Sequence, residues 1–80
     1  MKIFITEQQI KRVPVDSSNI QEIGYDKSTR TMEIKFKNGR IYRYRPITLE
    51  GYNSFLRSKS KGEFFHKNIK NNKAINSKKI

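Results

Sequence analysis

Apolar and polar side chains alternate strictly over Thr31–Lys37. Met32, Ile34 and Phe36 fall on one face, and Glu33, Lys35 and Lys37 on the other. A period of two predicts a half-buried β-strand. Asn38-Gly39 follows, and both residues tolerate the positive φ of a tight turn. Arg40–Pro46 then predicts a second arm, with Tyr42 and Tyr44 on one side and Arg43 and Arg45 on the other. Pro46 cannot donate to a ladder, so it ends that strand or marks an edge. Upstream, Ile20–Tyr25 predicts a further strand, joined by the loop Asp26–Arg30. The pattern is a three-stranded antiparallel meander.

Register follows from the same pattern. A two-residue loop at Asn38-Gly39 would set Ile34 opposite Arg43 and Met32 opposite Arg45, placing arginines in the core. A three-residue loop, Lys37-Asn38-Gly39 with Gly39 left-handed, sets Ile34 opposite Tyr42 and Met32 opposite Tyr44. Glu33 then faces Arg43, a favourable cross-strand pair. For the first two strands, pairing Ile23 with Ile34 and Tyr25 with Met32 also brings Glu22 to Lys35. The expected inner face is Ile23, Tyr25, Met32, Ile34, Phe36, Tyr42 and Tyr44.

After the meander the period changes. Leu49, Tyr52, Phe55 and Leu56 recur at helical spacing, and Thr48 precedes them as an N-cap. This helix is expected to end near Ser58 and to cover the inner face. Gly62 is expected to break whatever continues. Phe65 and Ile69, four apart, predict one more helical turn. The pattern as a whole defines an α+β fold.

The ends carry weaker signals. Ile3-Phe4-Ile5 predicts a short strand, and Thr6-x-x-Gln9 is a capping-box pattern that predicts a helical turn through Arg12. Pro14 holds Val13 extended. From Lys70 on, KNNKAINSKKI has only three apolar side chains, Ala74, Ile75 and Ile80, and is expected to be disordered. The chain therefore divides into an N-terminal extension (1–12), one domain (13–69) and a Lys/Asn-rich tail (70–80).

Composition narrows the function classes. The chain has 80 residues, enough for one small core. It has no cysteine, which excludes disulfides and thiolate metal sites. No apolar run is long enough to span a bilayer, and MKIFITEQQI lacks the apolar region of a signal peptide, so a cytoplasmic location is expected. The formal net charge is +11. Residues 1–56 hold ten Lys/Arg against six Asp/Glu, and residues 57–80 hold eight against one. A basic excess concentrated in this way points to a polyanionic partner, with nucleic acid first. A solvated basic tail is the plainer reading of the same charge.

An ordered series of segments resembles the KTSC domain family from about Val13 to Ile69. The segments are VPVDSSNI, IGYD, a strand with FKNG, the Tyr42-Arg43-Tyr44 centre, an amphipathic helix and SKGEFFHKNI. The resemblance implies a domain found at the C-terminus of some lysyl-tRNA synthetases and alone in small bacterial and phage proteins. It implies RNA binding as a proposed role and brings no catalytic residues.

Candidate chemistry is sparse. Tyr42 and Tyr44 invite base stacking, but the expected register turns them toward the helix as core tyrosines. Lys35, Lys37, Arg40, Arg43 and Arg45 would form a cationic hairpin face able to track phosphates. Lys67 and Lys70 extend it. A solvated mixed-charge face is the plainer reading, since Glu22 and Glu33 partly neutralise it. His66 is the only histidine and lacks the company a metal site or a catalytic base needs. Asp16, Ser17 and Ser18 suit turn and capping roles. No phosphate-binding loop, dinucleotide fingerprint or paired-carboxylate signature is present. The expected function is a non-enzymatic RNA- or DNA-binding module without metal or cofactor. The alternative is a protein-interaction module, such as a phage-encoded inhibitor or adaptor of a host protein.

Overall fold

The computed structural model describes residues 9–80. The expected strand at Ile3–Ile5 and the start of the capping-box turn lie outside the described residues. Five strands form one antiparallel sheet among those described: β1 (Arg12–Pro14), β2 (Ile20–Asp26), β3 (Thr31–Phe36), β4 (Ile41–Arg45) and β5 (Asn76–Lys79). Their order in the sheet is their order in the chain. Helix α1 (Leu49–Arg57) and a second helix, α2 (Lys61–Phe65), follow β4. The second continues into one wide π turn over His66–Lys70.

The central register is the expected one. Ile23 pairs with Ile34, Tyr25 with Met32 and Glu22 with Lys35. Met32 pairs with Tyr44, Glu33 with Arg43 and Ile34 with Tyr42. Turn chemistry enforces it. Gly39 has φ +91°, its amide donates to the Phe36 carbonyl at 2.9 Å, and the Asn38 carboxamide oxygen accepts from the Arg40 amide at 2.9 Å. A β-bulge between Ile20 and Glu22 refines the pattern. Unbroken alternation would turn Ile20 outward with Glu22. The bulge pairs Ile20 with Phe36 instead, and Ile20 is 1% exposed.

The core lies between the inner face of the sheet and the helices. Ile20, Ile23, Met32, Ile34 and Phe55 are its fully buried side chains. Thr48 caps α1, its hydroxyl accepting from the Gly51 amide at 3.0 Å. The apolar stripe of α1 is narrower than its spacing implied. Phe55 is fully buried and Tyr52 stacks on Tyr25 at 4.7 Å, but Leu49 and Leu56 are exposed. One helix therefore covers only part of the face. Phe65 of α2 and Ile69 of the π turn cover the rest.

Three further expectations are corrected. Arg12 is in β1 rather than in a helical turn, and Pro14, paired with Glu22, sits on an edge strand where a missing N–H is tolerated. Gly62 does not break the helices. Ser58, Lys59 and Ser60 do, and Ser60 caps α2 by accepting from the Glu63 amide at 3.2 Å. Gly62 falls in the first turn of α2, where its N–H needs no intrahelical partner.

The tail is the third correction. Lys70 belongs to the π turn, and Asn76–Lys79 pairs with β4: Tyr42 with Lys79, Arg43 with Lys78, Tyr44 with Ser77 and Arg45 with Asn76. Little apolar surface is needed, because a ladder is made by main-chain groups. The Ile80 amide adds a bond to the Ile41 carbonyl at 2.9 Å, and half-buried Ile75 packs against the core. Deleting Asn76–Ile80 is expected to lower the thermal midpoint, by ~4–8 °C for each kcal/mol lost in a domain of this size. A melting curve superimposable on that of the full chain would mean that β5 contributes nothing.

Candidate functional site

The outer face of the sheet carries a charge cluster built around one buried carboxylate. Glu33 is 3% exposed. The Arg43 guanidinium Nε donates to it at 2.7 Å. Arg12 donates Nε to Glu22 at 2.9 Å and reaches Glu33 through its Nη1. Carboxylates on both sides hold the Arg12 guanidinium above its already high ordinary range. The ladder explains the convergence, since Arg12, Gly24, Glu33 and Arg43 form one transverse row. Gly24 is required there. A Cβ would overlap the Lys11 carbonyl oxygen and crowd the Ile10 side chain. Two guanidiniums and two carboxylates leave the cluster formally neutral.

This disperses the cationic face expected of the hairpin. Arg43 is half-buried against Glu33. Lys35 is half-buried between Glu22 and Ile41 in the ladder. Arg45 is exposed, as is Arg40 in the turn. Lys37 leaves the outer face because β3 ends at Phe36. Lys67 is exposed, with Glu63 one helical turn away at 3.9 Å.

Lys37 and Lys70 instead meet at an open groove of about 570 Å³, between the turn end of the inner face and the π turn. Its lining includes Phe36, Tyr42, Tyr44, Phe65 and His66. The rings form an edge-to-face set. Phe65 meets Phe36 at 5.7 Å and Tyr44 at 5.4 Å, and Phe36 meets Tyr42 at 6.1 Å. Tyr42 and Tyr44 lie side by side, their ring planes 29° apart and their centroids 6.3 Å apart. Tyr44 is 7% exposed, as expected of a core tyrosine. Tyr42 and Phe36 are half-buried at the groove. His66 is exposed, its ring edge-on to Phe65 at 5.9 Å.

Sequence reasoning missed this site because its parts come from separate elements. Alternation placed Tyr42 beside Phe36. The spacing of Phe65 and Ile69 placed one more turn nearby, but nothing local fixed which end of the sheet that turn would reach. Among the described residues, no group of three or more His, Cys, Asp or Glu is arranged to hold a metal ion. None of the described helices is long and apolar enough to cross a membrane.

An antiparallel sheet covered on one face by two short helices defines a small α+β domain. Residues 16–72 match the family model of the KTSC domain. The chain belongs to the KTSC domain family. A KTSC domain protein from Yersinia pestis, known from a crystal structure, superposes with a TM-score of 0.81 at 37% identity, over 90% of this chain and 99% of that one. An uncharacterized protein of Stutzerimonas stutzeri is 33% identical over 76% of this chain and 86% of its own. A lysine–tRNA ligase of Trichormus variabilis is 34% identical over 69% of this chain, a match that occupies 10% of the ligase.

Two predictions follow from the buried groups. Replacing Glu33 with Ala leaves two part-buried guanidiniums without their shared carboxylate, and is expected to cost about 3–5 kcal/mol in denaturant unfolding. A loss under 1 kcal/mol would show that the cluster is not a structural tie. Burial, with Tyr42 beside it, pushes the Tyr44 hydroxyl up to about 12 from an ordinary 10.0. The folded state therefore keeps a proton that the unfolded chain releases, so this contribution is intact below pH 10 and is lost as pH rises toward 12. Unfolding measured across that window is expected to show falling stability, with a shallower fall in Tyr44→Phe.

Proposed function

We propose that this domain is a small, non-enzymatic, cytoplasmic module that binds nucleic acid, RNA foremost, by its phosphate backbone. One observation carries the reading: Lys37 from the β3–β4 turn and Lys70 from the π turn line the same groove. The outer arginines offer less, because Arg12 and Arg43 are held by Glu22 and Glu33. The net charge of +11 supports the reading. So does the relative named as a lysine–tRNA ligase, a protein that acts on RNA. Arg40, Arg45 and Lys67 are exposed and available for further phosphate contacts.

Anisotropy titrations of labelled RNA and DNA across a salt series test this. Each phosphate contact adds about 0.7–0.9 to the slope of log affinity against log salt. Lys37→Gln and Lys70→Gln are each expected to flatten the slope by about that amount without lowering the melting midpoint. Lack of binding to either nucleic acid at low salt would favour the protein-interaction module, an inhibitor or adaptor of a host protein.

A further inference from the structure

We infer that the aromatic groove receives an unpaired base of single-stranded RNA, with the flanking phosphates held by the lysines at its rim. This rests on the nucleic-acid reading and deepens it.

Three observations support it. First, the groove combines π surface with positive charge. Tyr42 and Phe36 are half-buried at its floor, and Lys37 and Lys70 line it. Lys79 is the cross-strand partner of Tyr42, so β5 adds a third cation on the same face. A base with its phosphates is the ligand chemistry that uses both, because bases stack on aromatic rings while the backbone follows lysines. Second, the size is right. A volume near 570 Å³ lies within the ~300–1,000 Å³ of small-ligand sites. Third, Asn19 and Asn38 place carboxamides in the lining. The Asn38 oxygen already accepts from the Arg40 amide, which leaves its NH2 group as the donor for a base edge.

The shape favours an unpaired base. The rings sit in a recess between the sheet and the π turn, and a base stacked within a helix cannot enter it. Unpaired bases of RNA loops and ends can be splayed into such a site.

The test uses the full chain with short oligouridylate and oligoadenylate, their deoxy counterparts, and a duplex RNA of equal phosphate count as reference. Carbon-13 NMR of the aromatic side chains is expected to show shifts at Tyr42, Phe36 and His66 with the single strands. Tyr42→Leu keeps an apolar side chain but removes the π face. It is expected to weaken single-strand binding by about fivefold to a hundredfold and to shrink the preference over duplex. Tyr42→Phe keeps the ring and should restore binding, which separates loss of stacking from loss of fold should the leucine variant melt. Equal affinity for duplex and single strand, with unmoved ring signals, would overturn the groove assignment and leave the phosphate-binding reading standing. Tighter binding of single-stranded DNA than of RNA would overturn the choice of RNA. If no nucleic acid binds at low salt, both readings fail together.

Discussion

The buried carboxylate of Glu33 is the constraint on which the sheet depends. It is surrounded on the outer face, where an antiparallel sheet ordinarily meets water. A charge in that position is tolerable only with close cationic partners. Arg12 on β1 and Arg43 on β4 provide them, and Arg12 also bonds Glu22 on β2. One residue therefore ties four strands in a single transverse row. A slip of one residue between β3 and β4 would put Glu33 and Arg43 on opposite faces and break their pair. The inner face alone would also oppose the slip, so the two faces agree on one register.

The same cluster shapes the distribution of charge. It consumes two arginines that would otherwise make the outer face strongly basic. The lysines near the turn end of the inner face have no comparable acidic cluster among their groove neighbours. A chain that is basic throughout its composition therefore has its aromatic and cationic groups together in one recess, while its outer sheet face carries a structural ion cluster.

Residues 20–45 were legible because local rules agreed. Alternation, the Asn38-Gly39 turn and the Glu33–Arg43 pair all pointed to the same register. Thr48 marked its helix start for the same reason, since a cap acts within three residues. The failures came where a distant partner decided. Leu49 and Leu56 continue a helical stripe, but the sheet they were expected to cover is shared with Phe65 and Ile69. Asn76–Lys79 has no strand-like composition and is ordered by the free edge of β4. Arg12 became a strand residue through a partner on β2. Gly62 looked like a break only because Ser60, two residues earlier, had not been read as a cap. The groove combines both kinds of information. Its tyrosine was visible from alternation, but alternation put Lys37 on the outer face, and composition put Lys70 in a disordered tail and left His66 alone among lysines.

The placement of β5 has a consequence for dynamics. Strands β2, β3 and β4 follow one another through short loops, so their pairing closes small loops of chain. β5 must return from beyond both helices to reach β4, and all four of its side chains are exposed. Its amides lie on an edge of the sheet and should exchange with solvent before those of the central strands. Each local opening carries Lys79 away from Tyr42. Ser77, the β5 residue in the groove lining, leaves with it, so opening of the edge strand also opens one wall of the groove.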